Sequence, residues 1–199
     1  TPPLKKLVQA PFQLQENLLA LIDRETTNAR AGRNGHIIAK LNALVEPEII
    51  RTLYKASSAG VMVDLIVRGM CCLRPGVPGV SDNIRVRSIV GRFLEHSRIY
   101  YFYANGDAKV FCSSADWMDR NVFRRIEIAY PILDSESKAR LIGDLALYLS
   151  DNSKAWELSP NGSYRRVSPK TGERPLSVQD SLLDKLAQST GGSPRLDMH

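Results

Sequence analysis

Two apolar runs separated by one amphipathic segment constrain the fold of this chain more than any other feature. Residues 36–44, HIIAKLNAL, and residues 61–69, VMVDLIVRG, are near-continuous apolar stretches of strand length, with PEIIRTLYKASSAG between them. A strand with one buried face alternates with period two, whereas a run apolar at almost every position is buried on both faces. The intervening segment opens at Pro47, whose fixed φ suits a first helical turn, and stops at Gly60. Strand, helix and strand in this order make a β-α-β unit with a parallel pair, so the chain is expected to be α/β.

The flanking segments fill in the expectation. Leu14, Leu18, Leu19, Leu21 and Ile22 form a helical stripe running to about Arg30 and closed by Gly32 and Gly35. RIYYFYA and KVFCSSA flank Asn105-Gly106-Asp107 as a hairpin, and RRIEIAYPIL reads as a further strand. The sheet is therefore mixed and flanked by helices. A helix is expected over residues 135–150, with Leu141, Leu145 and Leu149 on one face and Asp134 or Ser135 as its cap. LRPGVPGVSDN, residues 73–83, reads as a loop, and SIVGRFLEH as an amphipathic segment with His96 at its helical C-terminus. After Trp156 the chain turns polar, with one short helix, SVQDSLLDKLA, and a GGSPRLDMH tail expected to be disordered. The predicted organisation is a domain over residues 1–156 and a polar extension over 157–199, without an internal repeat.

Length and composition fit one domain with a real core: 199 residues, 43% of them hydrophobic. No apolar run reaches the roughly 20 residues a spanning helix needs. TPPLKKLVQAPF has neither a signal-peptide apolar core nor an initiator methionine, which reads as a piece of a longer polypeptide. Cys71, Cys72 and Cys112 form no metal-ligand spacing and leave an odd thiol, which favours a reduced cytosolic setting with inert thiols. The net charge of +6 suits a polyanionic partner. Nothing resembling an aromatic stacking platform, a helix-turn-helix or an RNP motif supports specific nucleic acid binding.

Ligands of open α/β sheets bind outside the carboxyl ends of the parallel strands. Arg68 stands at that end of the second apolar run, and Lys40 with Asn42 near that end of the first. A guanidinium fork recognises phosphate oxygens in pairs and stabilises charge spread over a transferring phosphoryl group. The same arginine also fits a solvated position before a glycine turn. The stretch from Ser81 to Asp116 gathers arginines, small residues and His96. That histidine has a site-like setting, whereas His36 opens an apolar run and His199 ends the tail. His96 fits either a phosphate contact or a surface position at a helix C-terminus.

KLNALVEP, LIVRGMCCL, SDNIRVRSIVGRFLEHSRIYYF and SSADWMDRN, in that order, resemble the C-terminal domain of bacterial polyphosphate kinase over roughly Lys6 to Trp156. The resemblance implies the second of two phospholipase D-like halves. It implies an enzyme that reversibly transfers the terminal phosphate of ATP to polyphosphate through a phosphohistidine. By motif match, Arg68 in LIVRGMC and His96 in FLEHSRIY would contact ATP phosphate, His96 as the catalytic residue. The implied partners are ATP or ADP, inorganic polyphosphate and upstream domains of the same polypeptide, with a homo-oligomer when full length. The phosphorylated histidine, the Mg2+ ligands and the base pocket would lie upstream, leaving the isolated piece inactive. The implied location is cytoplasmic, with peripheral attachment to the inner membrane left open.

The departures matter as well. A phospholipase D half carries His-x-Lys and, after four more residues, Asp; here His96-Ser97-Arg98 is followed by Tyr103. Ser113-Ser114-Ala115-Asp116-Trp117 takes the place of the family's small-residue element. The hydroxyls and N–H groups of Ser113 and Ser114 fit either a phosphate pocket or a satisfied strand-end turn. Two other readings stand beside the kinase: a phosphodiesterase working as a homodimer, and a non-catalytic polyanion-binding module using a basic surface that includes Arg165 and Arg166.

Overall fold

The computed structural model describes residues 6–190. From the N-terminus the chain forms β1 (Val8–Ala10), α1 (Leu14–Arg30), β2 (His36–Leu41), α2 (Pro47–Ser58), β3 (Met62–Val67) and β4 (Ile84–Ile89). It continues with β5 (Arg98–Phe102), β6 (Lys109–Ser113), α3 (Asp119–Phe123), β7 (Glu127–Pro131) and α4 (Ser135–Ser150). β8 (Ala155–Leu158), β9 (Tyr164–Arg166) and α5 (Val178–Thr190) complete it.

The nine strands of the described residues join one sheet in the order β1-β7-β6-β5-β2-β3-β4-β8-β9. β2, β3 and β4 run parallel, and the remaining pairs are antiparallel. The continuous apolar runs have the expected cause. Ile37, Ala39 and Leu41 of β2 join Val63, Leu65 and Val67 of β3 in a core shared with Leu14, Leu18 and Ile22 of α1 and Ile49, Leu53 and Ala56 of α2. The alternate residues Ile38 and Ile66 face the other way, into a second core with Leu145 and Tyr148 of α4 and Val178 of α5. Both faces of the central strands are therefore removed from water.

Local chemistry sets the helix starts. Glu46 accepts a hydrogen bond from Ile49 N at 2.6 Å ahead of Pro47, and Asp134, rather than Ser135, caps α4 by accepting from Ser137 N at 2.7 Å. The strands are shorter than their apolar runs, ending at Leu41 and Val67. Main-chain pairing nevertheless continues past them: Gly69 N donates to Asn42 O at 2.8 Å. A Cβ on Gly69 would lie 2.8 Å from that same oxygen, so only glycine lets the two strand ends stay this close.

Two expectations fail. SIVGRFLEH is not helical: Ser88 and Ile89 close β4, and residues 90–97 form an open loop. Parallel pairing with β3, with Val86 turned inward between Arg85 and Arg87, overrides the helical spacing of the apolar residues. The division at residue 156 also fails, because it cuts β8. β8 hydrogen-bonds to β4 and β9 to β8, while α5 packs on α4, so residues 157–190 continue the same sheet and its second core. The GGSPRLDMH tail lies outside the described residues. No described helix is long and apolar enough to cross a membrane.

Candidate functional site

The carboxyl ends of β2 and β3 open into a cleft of about 690 Å³ whose floor and walls include Asn42, Arg68, His96, Arg98, Asp116 and Arg125. Asp116 organises it. Its Oδ1 accepts from Asn42 N at 2.7 Å and Ala43 N at 3.2 Å, and its Oδ2 lies 2.9 Å from Arg98 Nη2. Arg98 Nε reaches Asp116 Oδ1 at 3.3 Å, so the pair is forked. Both side chains are nearly enclosed, with 11% and 9% of their surfaces exposed. Burial pushes the Asp116 carboxyl up, but the Arg98 guanidinium and the Asn42 and Ala43 amides outweigh it and hold the group below the usual carboxylate range.

Asn42 passes this order on to Arg68. Its Oδ1 accepts from Arg68 Nε at 3.0 Å and Nη2 at 2.9 Å, which fixes the guanidinium plane and leaves Nη1 for a ligand. On the other side, Arg98 lies against His96, with Nη1 donating to His96 O at 2.9 Å and standing 3.2 Å from Nδ1. His96 itself is exposed. Arg120 and Arg125 reach the cleft from α3 and the turn after it, and neither side chain has a hydrogen-bond or ion-pair partner among the described residues. A concave surface with an anchored Arg68, two unpaired guanidiniums and an imidazole is suited to bind several phosphoryl groups at once.

The sequence candidates are distributed unevenly. Arg68, Asn42 and His96 meet at the cleft, Asn42 as the support of Arg68. Lys40 does not line it. Lys40 is buried beneath α4, 2.8 Å from Glu95 Oε2, donates to Ser97 Oγ at 3.0 Å, and lies over the Tyr148 ring. Burial pulls its ammonium down, and Glu95 offsets part of that. Ser113 and Ser114 follow the turn reading. Ser113 Oγ donates to Ile128 O and accepts from Ala115 N, while Ser114 Oγ donates to Glu127 at 2.5 Å. Ser114 still borders the cleft. His36 lies elsewhere, paired with Asp64 at 2.8 Å.

Arg98, Asp116, Arg120 and Arg125 escaped the sequence reading. The signal for Arg98 was available, since it holds the lysine position of the His-x-Lys pattern. Among the described residues no three His, Cys, Asp or Glu side chains group as a metal site requires. Of the cleft carboxylates, Asp116 is spent on Arg98, and Glu127 accepts from Ser114 and from Asn121 Nδ2 at 2.6 Å. These residues do not fit a magnesium site.

The architecture gives the fold first: a mixed sheet covered on both faces, with a cleft at the ends of its parallel strands, is the fold of phospholipase D-like proteins. NucT from Helicobacter pylori superposes with a TM-score of 0.53 at 16% identity, over 72% of this chain and 93% of that one. Nuc from Salmonella typhimurium, a phospholipase D family member, gives 0.54 at 15%, over 81% and 97%. The family is narrower. Residues 7–179 match the family described as polyphosphate kinase C-terminal domain 2, and the chain belongs to it. It is 55% identical over 184 residues to a polyphosphate kinase of Pseudomonas aeruginosa, covering 92% of this chain and 27% of the relative. A polyphosphate kinase of Xylella fastidiosa is also 55% identical over 184 residues, 92% of this chain and 26% of the relative. The crystal structure of polyphosphate kinase from Porphyromonas gingivalis superposes with a TM-score of 0.91 at 39% identity, over 96% of this chain and 29% of that one. The chain thus spans about a quarter of the length of the curated relatives it matches.

Proposed function

We propose that this chain is the part of an ATP:polyphosphate phosphotransferase that holds nucleotide and chain phosphates during transfer. The observation that carries the reading is the linked row Arg68–Asn42–Asp116–Arg98–His96, which presents an anchored guanidinium Nη1 and an exposed imidazole to one cleft. In-line phosphoryl transfer through a loose transition state depends on positioning and on neutralising charge over the equatorial oxygens. Arg68 Nη1 supplies such a contact, His96 donates a hydrogen bond to phosphate or to the departing oxygen, and Arg120 and Arg125 meet further phosphates of the chain. The phosphorylated histidine and the Mg2+ ligands lie outside this chain in the reading. The full-length protein is read as a homo-oligomer. The three free thiols, with burial raising Cys71 to about 11 and Cys112 also upward, suit a reduced cytoplasm.

The phosphodiesterase reading draws no support from the site. The guanidinium at the lysine position is tied to Asp116, and Tyr103 replaces the aspartate of the signature.

The full-length gene product, given ATP and Mg2+, is expected to make polyphosphate and to degrade it when given ADP. The 199-residue chain alone, mixed with γ-labelled ATP and Mg2+, is expected to form no acid-labile phosphohistidine. Stoichiometric labelling of that chain would place the nucleophile within it and contradict the assignment.

A further inference from the structure

We infer that Gln179, at the start of α5, is a positioning residue for His96; the inference rests on the functional reading above. Residues 91–96 make no main-chain to main-chain hydrogen bond among the described residues, so the loop that presents His96 has no order of its own making. Gln179 supplies it. The residue is 6% exposed, its Oε1 accepts from Phe93 N at 2.9 Å, and its Nε2 donates to Phe93 O at 2.9 Å. One side-chain amide thus pairs with both main-chain groups of one residue, as a neighbouring strand would.

The same Nε2 donates to Glu95 Oε1 at 2.8 Å, and Glu95 Oε2 is 2.8 Å from Lys40 Nζ. Lys40 then donates to Ser97 Oγ at 3.0 Å. Both neighbours of His96 are therefore held from the buried side while the exposed imidazole lies at the cleft against Arg98. Burial pushes the Glu95 carboxyl up, yet its bonds to Lys40, Tyr148 and Gln179 hold it below the ordinary range, so the anchor is an ionised one. Gly91 records the same contact from the loop side. Its φ lies outside the left-handed region, so its backbone accepts a side chain, but a Cβ there would stand 2.4 Å from Gln179 Oε1. A Cβ there would push the Gln179 amide aside.

No described α5 side chain lines the cleft, yet α5 fixes the loop that does. A displacement of about 1 Å in a group that contacts the transferring phosphoryl lowers rate by up to roughly a hundredfold. Gln179→Met keeps the volume and removes all three bonds; Gly91→Ala displaces the amide from the other side. In the full-length gene product both are expected to lower kcat for ATP-dependent polyphosphate synthesis by about tenfold or more, with a smaller change in KM for ATP and a melting temperature near wild type.

Gln179→Glu gives a readout that loss of packing does not share. Near pH 8 its carboxylate cannot donate to Phe93 O and repels Glu95. Facing another carboxylate raises its pKa, so the acid form returns as pH falls, and activity relative to wild type is expected to recover toward pH 6. Asp184→Asn, on the exposed side of α5, is expected to be silent.

Wild-type kcat in both Gln179→Met and Gly91→Ala, alongside loss of activity in His96→Ala, would overturn the positioning role. Activity loss fully matched by a loss of folded protein would overturn it as well. Wild-type activity in His96→Ala would instead overturn the functional reading, and the inference with it.

Discussion

Asp116→Ala is expected to be among the most damaging single substitutions in this chain, costing about 3–5 kcal/mol of unfolding free energy. The loss has two sources. Arg98, with only 11% of its side chain exposed, is left as a buried guanidinium without its counter-charge. The Asn42 and Ala43 amides lose the oxygen that accepts from both, at a cost of about 1–3 kcal/mol for each buried donor left unmade. The damage is also chemical, because Asn42 then releases Arg68 and Arg98 releases His96.

Urea denaturation measures the first effect, and its pH dependence carries a sign. Because the folded-state pKa of Asp116 lies below its unfolded value, its stabilisation is present above about pH 4 and is lost as pH falls through the folded value. The gap between wild type and Asp116→Ala is therefore expected to narrow in acid. An Asp116→Ala protein as stable as wild type at pH 7 would show that the forked pair is not structural.

His96→Ala is expected to behave in the opposite way, with catalysis lost and the fold kept. The side chain is exposed, and its contacts are to Arg98, which keeps Asp116 as a partner after the change. A stability cost within about 1 kcal/mol follows. A group that hydrogen-bonds the transferring phosphate or its leaving oxygen contributes roughly a hundredfold or more to kcat. In the full-length gene product, formation of the phosphoenzyme from ATP is expected to slow as much as overall synthesis, since release of ADP is the step that needs the leaving oxygen stabilised. Rapid-quench measurement with labelled ATP separates that step from elongation. Wild-type autophosphorylation and elongation would remove His96 from the chemistry.

The sequence made the fold legible where burial leaves a simple signature. Ile37 to Leu41 and Val63 to Val67 read as strands because both faces are covered, and Asp134 and Pro47 read as helix starts because their chemistry is local. β4 was hidden because Ile89, Val90, Phe93 and Leu94 carry a helical spacing by chance, while the decision lies in pairing with β3, 21 residues earlier. β8 has four residues and β9 three, and only pairing, β8 on the open edge of β4 and β9 on β8, makes them strands.

The site divides the same way. Arg68 and His96 are visible from motif and strand end. Asp116 is not, because its meaning lies in Asn42, 74 positions away. Lys40 looked like a phosphate ligand because its position along β2 is right, but strand alternation turns it toward α4.

The central claim is that a fixed guanidinium plane at the end of β3 clamps the transferring phosphate. Arg68→Lys tests it most directly, because the charge stays while the fork that uses Nε and Nη2 on Asn42 and offers Nη1 to the cleft is lost. The measurement is the initial rate of ATP-dependent polyphosphate synthesis by the full-length Arg68→Lys protein at saturating ATP. The account predicts a fall of at least about tenfold with an unchanged melting temperature. Synthesis at the wild-type rate would contradict it.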